Sequence, residues 1–164
     1  MSIDELDVRL ITLFAEEPHI GVLEASRRLS VARGTVQARL DRLQRSGVVM
    51  DFAPTIDPAA LGFPVMAFIT AEITQGDRSE EMIGQLRQIP ELLEAYTVTG
   101  QADLLIRVVA KSNSDLQRVI DRLVAVRGIA RTATLIVLDM QVTHRTLPLV
   151  QSVLVTRDER VIAT

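Results

Sequence analysis

The chain of 164 residues contains no cysteine. This excludes disulfide staples, thiolate zinc sites and thiolate catalysis, and it suits a reducing compartment. Histidine occurs twice, at His19 and His144, and neither has a carboxylate or a second histidine at ligand spacing. Both read as surface histidines, so no metal site and no cofactor is expected. No apolar run reaches the length that spans a bilayer. The opening Met1-Ser2-Ile3-Asp4-Glu5 is acidic and lacks a secretory pattern, and the expected location is therefore the cytoplasm. Lysine appears once, as Lys111, so nearly all the positive charge is arginine. Apolar residues make up 48% of the chain, enough for a real core and too many for a disordered one.

The net charge of -3 says little, because an acidic protein binds nucleic acid when its basic residues cluster. They do cluster. Between Val22 and Gly47 stand six arginines (27, 28, 33, 39, 42, 45) against Glu24 and Asp41, a local excess of about four positive charges. The preceding stretch from Met1 to Gly21 has Arg9 alone against Asp4, Glu5, Asp7, Glu16 and Glu17.

Apolar spacing organises the first third into helices. Ser2 to about Ala15 places Ile3, Leu6, Leu10, Leu13 and Phe14 on one face, with Ser2 and Glu5 as a capping-box pair. Val22 to Leu29 is a short helix. Arg33 to Ser46 is longer, with Val36, Leu40 and Leu43 spaced for burial and Gly47 past its end. Only Ser30, Val31 and Ala32 separate these two. Val48 to Ala53 reads as a short strand, a candidate wing. A tight helix-turn-helix with a basic second helix is a DNA-binding pattern; a generic helical bundle is the bland alternative.

Ala53 to Pro64 holds three prolines, Asp57 and Gly62, and reads as a linker. The period then changes. Strands are expected at Pro64 to Ile73, Leu92 to Thr99, Leu104 to Ala110 and Ile129 to about Val142. Helices are expected at Arg78 to Ile89 and Ser114 to Arg127, the second with Ser114 and Gln117 as its capping box. Strand-helix-strand-strand-helix-strand is the split βαβ, ferredoxin-like order. Two helices cover one face of such a sheet, yet Met66 and Phe68 alternate with Val65, Ala67 and Ile69, so the other face is apolar too and is expected to meet another subunit. The fold class is α+β, with an N-terminal winged helix-turn-helix and a C-terminal ferredoxin-like βαββαβ sandwich domain. The expected divisions are a DNA-binding domain at 1–52, a linker at 53–63, an effector-binding and oligomerisation domain at 64–142 and a C-terminal extension at 143–164.

These segments also carry a family likeness. Ile3-Asp4-Glu5-Leu6-Asp7-Val8-Arg9-Leu10-Ile11 resembles the first helix of Lrp/AsnC (feast/famine) transcriptional regulators. Glu24 to Gly47 resembles their helix-turn-helix, with Thr35-Val36, Gln37, Arg39, Leu40, Leu43 and Gly47-Val48 at the family's intervals. Ile56-Asp57-Pro58-Ala59-Ala60-Leu61-Gly62, Tyr96-Thr97-Val98-Thr99-Gly100-Gln101-Ala102-Asp103 and Arg131-Thr132-Ala133-Thr134 follow in the family's order. The sequence departs from the pattern at Ala32, where the family usually has a capping serine, a difference of about 1 kcal/mol, and at Ala25 and Ser26 in the preceding helix.

The resemblance implies a second helix lying in the major groove of double-stranded DNA. Its outward face carries Arg33, Gly34, Gln37, Ala38 and Asp41. Arg33 suits a bidentate pair with guanine and Gln37 one with adenine. Gly34 permits close backbone approach, or is merely tolerated near a helix end. Thr35 and Arg39 are expected on phosphate, with Arg42 a further candidate. The resemblance also implies that Gly100, Gln101, Ala102 and Asp103 form part of a site for a small effector, usually an amino acid, at a contact between dimers. Asp103 would then accept from an ammonium group, the backbone around Gly100 and Ala102 would hold a carboxylate, and Thr132 and Thr134 would line the pocket. A plain hairpin loop and structural threonines are the alternative. Homodimers assembling further, up to an octamer, are implied as well. The reading is a DNA-binding regulator and not an enzyme. Its rivals are an effector-independent architectural DNA-binding protein and, on the same architecture, a tetrapyrrole decarboxylase-like enzyme, for which this chain offers few acid/base groups.

Overall fold

A computed structural model describes residues 3–74 and 80–153. The described residues fall into two compact units: 3–54 together with 142–153, and 55–74 together with 80–141.

The first unit holds α1 (Glu5–Glu16), α2 (Val22–Leu29) and α3 (Arg33–Arg45). The cap of α1 differs from the expected pair. Ser2 lies outside the described residues, the helix starts at Glu5, and the reciprocal bonds belong to Asp4 and Asp7. The Asp7 N–H donates to Asp4 Oδ1 at 2.9 Å and the Asp4 N–H donates to Asp7 Oδ2 at 3.0 Å. Two aspartates three apart meet the same geometric need as Ser-x-x-Glu. Leu10, Ala25, Leu29, Val36, Leu40 and Leu43 form the core, with Leu6, Leu13 and Phe14 packed against it. Ser30, the αL residue at φ 56°, turns the chain out of α2, and the Val31 N–H donates to Ser26 O at 3.0 Å. Ser26 is buried and donates its hydroxyl to Leu23 O at 2.7 Å, so this small polar residue fits the helix crossing without an unpaired group. Ala32 caps α3 with no side-chain bond.

Gly47, at φ +74°, ends α3. The expected wing strand at Val48–Ala53 is not formed. Residues 50–57 carry no regular structure, since a ladder needs a second segment and no described part of this chain pairs with it. Phe52 instead packs on Phe14 of α1, ring centroids 5.8 Å apart. Residues 147–153 are helical.

The second unit contains β1 (Val65–Ile73), α4 (Glu80–Leu86), β2 (Leu92–Thr97), β3 (Leu104–Ala110), α5 (Asn113–Val124) and β4 (Ile129–Ile136). The sheet order is β2-β3-β1-β4 and every pairing is antiparallel, which is the ferredoxin-like arrangement. One face carries Ala67, Ile69 and Ala71 of β1 and Leu104, Ile106 and Val108 of β3 against Met82 and Leu86 of α4 and Leu116, Val119 and Leu123 of α5. The opposite face carries Phe68 between Arg107 and Leu135 across the strands. Phe68 and Leu105 are half-buried there, while Leu135 is 62% exposed.

Several boundaries differ from the expected ones. β4 ends at Ile136, short of Val142, because β1 runs out: the Val137 N–H takes Met66 O at 2.9 Å, and beyond Val65 stands Pro64, which has no N–H. β2 ends at Thr97, opposite the first residue of β3. Helix α5 is capped by Ser112, not Ser114; Ser112 Oγ accepts from the Asp115 N–H at 3.1 Å while Asp115 Oδ2 accepts from the Lys111 N–H at 2.8 Å. It stops at Val124, three residues early, and α4 spans Glu80–Leu86, with Arg78 outside the described residues.

Candidate nucleic-acid interface and effector loop

The burial of Val36, Leu40 and Leu43 fixes which side of α3 faces outward. Arg33, Gly34, Thr35, Gln37, Ala38 and Asp41 are all exposed. Gln37 Nε2 donates to Asp41 Oδ1 one turn on, at 2.8 Å. Nothing stands within 4 Å of where a Cβ on Gly34 would lie, so internal crowding does not require glycine there.

Arg39 and Arg42, the arginines expected at phosphate, have partners inside this unit. Both turn toward α1. Arg39 Nη1 donates to both carboxylate oxygens of Asp4 at 2.6 Å and to Asp7 Oδ1 at 2.9 Å. Arg42 Nη2 pairs with Asp7 Oδ2. Asp7 is fully buried, so its charge is compensated by two guanidinium groups and the Asp4 N–H. The Arg39 hydrogen bond holds the Asp4 carboxyl below the usual carboxylate range, against the opposing effect of burial. The same bond raises Arg39 further above its ordinary value. In the sequence, Asp4 and Asp7 stand as acidic charge and as part of the family-like first helix, with no partner assigned to either. The signal was present in the spacing: two carboxylates three apart on one helix match two arginines three apart on another.

The remaining arginines divide similarly. Arg27 pairs with Glu24 at 3.5 Å, and Arg28 pairs with Glu17 and with Glu24. Arg45 Nε donates to Asp41 O at 3.2 Å. Arg33 makes no ion pair among the described residues and stands exposed in the first turn of α3, beside a helix start with no side-chain cap.

In the second unit, the loop from Val98 to Asp103 closes between β2 and β3. Gly100 adopts φ +122°, a conformation side-chain-bearing residues rarely take. The Val98 N–H donates to Asp103 O and the Asp103 N–H donates to Ala71 O, each at 3.0 Å. Asp103 Oδ2 accepts from the Ile73 N–H at 2.9 Å. Ala71 has Leu104 on one side and Thr132 on the other, so the sheet brings Thr132 to the same end as the loop. Thr134 lies two pairs further along, opposite Ile69, and is exposed. Gly100 and Gln101 are exposed, and Ala102 is half-buried. An open groove of about 590 Å³ lies elsewhere, in the first unit between α1 and α2, lined by Glu16, Pro18, His19 and Glu24 among others.

The profile described as Lrp/AsnC ligand binding domain matches residues 66–147, half of the chain.

The chain belongs to the Lrp/AsnC family.

A winged helix-turn-helix DNA-binding profile matches residues 3–50 of this Lrp/AsnC protein, the segment holding α1 to α3. The HTH-type transcriptional regulator FL11 of Pyrococcus furiosus is 30% identical over 146 residues, covering 89% of this chain and 96% of FL11. Among solved structures, AsnC of E. coli superposes with a TM-score of 0.82 at 25% identity, covering 90% of this chain and all of that one. A transcriptional regulator of Neisseria meningitidis in complex with L-methionine superposes at 0.78 with 24% identity, covering 88% of this chain and 95% of that one. This Lrp/AsnC chain is a transcriptional regulator by its two matched domains and its curated relatives. No described helix is long and apolar enough to cross a membrane.

Proposed function

We propose that α3 reads specific double-stranded DNA through Arg33, Gly34, Thr35 and Gln37, and that a small effector, an amino acid, acts through the 98–103 loop to change assembly or DNA affinity. The observation that carries the reading is the division of labour on α3. Its outward residues are open to a ligand, while Arg39 and Arg42 are engaged with Asp4 and Asp7 and orient the helix. An uncapped helix start beside a guanidinium with no ion pair among the described residues suits the polyanionic backbone and base edges of DNA. Thr35 at that first turn serves a phosphate contact.

The effector part is supported by the ligand-binding profile and by the L-methionine held by the Neisseria relative. Gly100, Gln101, Ala102 and Thr132 frame the site, and Thr134 flanks it. A homodimer formed through the open sheet face around Phe68, Leu105 and Leu135, extending to higher assemblies, would present two copies of α3 to two half-sites. An effector shifts such an assembly only through a difference in affinity between its states. The working division is a DNA-binding segment to residue 52, a linker at 53–63, the sensing domain at 64–142 and an extension beyond. The protein acts in the cytoplasm without enzymatic chemistry.

The test is a gel shift on the DNA upstream of the protein's own gene, across a salt series, with Arg33→Ala alongside and L-methionine and other amino acids added. Specific binding that Arg33→Ala relaxes by about 1–3 kcal/mol supports the reading. Binding indifferent to sequence and to every amino acid points to an architectural DNA-binding protein instead.

A further inference from the structure

The sheet end that carries the loop has an irregularity. The β1–β4 register runs Glu72↔Arg131 and then Ile73↔Ile129, so Ala130 has no counterpart. A bulge of this kind removes a regular ladder bond and leaves backbone groups to be satisfied some other way. The Ile73 N–H points to the other edge of β1, where the ladder to β3 ends at Ala71↔Leu104, and it is taken there by the side chain of Asp103, at 2.9 Å. The main chain of Asp103 is committed as well: its N–H donates to Ala71 O and its carbonyl accepts from the Val98 N–H. The next residue, Thr74, donates its N–H to Gly128 O at 2.8 Å, where the chain turns from α5 into β4.

We propose that Asp103 is a positioning residue, which braces the 98–103 loop onto the bulged end of β1 through a neutral-competent acceptor oxygen, and is not the counter-charge for an effector ammonium group. The proposal rests on the effector reading above only for its ligand arm. The chain of bonds runs from the loop through Asp103 to Ile73, and from Thr74 to Gly128, at the end of the sheet where Thr132 stands. One residue therefore couples loop geometry to the start of β4. A brace needs a hydrogen-bond acceptor, which asparagine supplies equally well. A counter-charge needs the carboxylate, which asparagine lacks.

The experiment uses the full chain as wild type, Asp103→Asn and Asp103→Ala. Amide hydrogen exchange resolved at Ile73 is read without ligand, and calorimetric titration is done with L-methionine and then a panel of L-amino acids. Ile73 should stay protected in the wild type and in Asp103→Asn and exchange about three- to tenfold faster in Asp103→Ala. For whichever amino acid binds the wild type, Asp103→Asn should bind within about threefold and Asp103→Ala about tenfold or more weakly, since loss of the brace leaves the loop to be ordered on binding. Loss of Ile73 protection in Asp103→Asn equal to that in Asp103→Ala overturns the brace. Asp103→Asn that keeps Ile73 protected but loses ligand binding overturns it in favour of the counter-charge. A wild type that binds no amino acid refutes the effector reading, and the exchange comparison then decides the brace by itself.

Discussion

Arg39 of α3 reaches across to α1 and places its Nη1 2.9 Å from the Asp7 carboxylate, which is itself fully buried. With Arg42 on the other oxygen, the contact fixes the start of α1 against the middle of α3. The charges that make this helix look like a phosphate clamp are therefore partly spent inside the unit, and the helix is held at a set angle for whatever it reads.

Removing Arg39 should accordingly behave as a stability change. Arg39→Ala leaves a buried carboxylate with one guanidinium fewer, a loss of about 2–4 kcal/mol given that the arginine itself is partly solvated. Urea denaturation measures it. The slope of log affinity against log salt should stay unchanged, whereas loss of a true phosphate contact lowers it by about 0.9.

The Asp4 carboxyl, held low chiefly by the Arg39 hydrogen bond, predicts a pH dependence. The folded state binds the proton less readily than the unfolded chain, so the contribution is complete above the unfolded value of about 3.9 and is lost as pH falls through the lower folded value. Urea midpoints followed from neutral pH downward should drop across that acid window. Asp4→Asn, which keeps a capping oxygen, should flatten the drop.

Gly34 separates folding from binding. With open space around it, Gly34→Ala should stabilise α3 by about 0.5–1 kcal/mol, seen as a higher melting temperature. On the proposed reading the same methyl group intrudes between backbone and DNA, and operator affinity should fall severalfold. A variant both more stable and equally tight would place DNA away from this part of the helix.

The open sheet face yields a prediction about assembly. Phe68→Asp puts a charge among Leu105 and Leu135 without disturbing the helix-covered side of β1. The variant should stay folded by circular dichroism and sediment as a smaller species than the wild type. An unchanged sedimentation coefficient would locate the self-contact elsewhere.

The pattern of apolar residues made most of the architecture readable in advance. Val36, Leu40 and Leu43 at helical spacing, and Ala67, Ile69 and Ala71 at strand spacing, announce their faces because burial acts on each element locally. Caps were less legible. Ser2, Asp4, Ser112 and Ser114 are all chemically able to cap, and the choice falls to whichever carbonyls and amides the folded chain brings into reach. The wing strand and the far end of β4 failed for a related reason: strand propensity becomes a strand only where a partner supplies the other half of each bond.

The sequence by itself determined the order of α1 to α3 and of β1 to β4 with their two helices, the two cores, the exposed start of α3 and the likeness to Lrp/AsnC regulators, since composition, period and short motifs are properties of the chain read in line. Only the tertiary structure decided what the polar residues do. Arg39 and Arg42 turn to Asp4 and Asp7, which lie more than thirty residues earlier, and Asp103 takes the Ile73 amide thirty residues away. A side chain's partner is set by distance in space, and a charge or hydroxyl carries no mark in the sequence of which neighbour folding will bring within 3 Å.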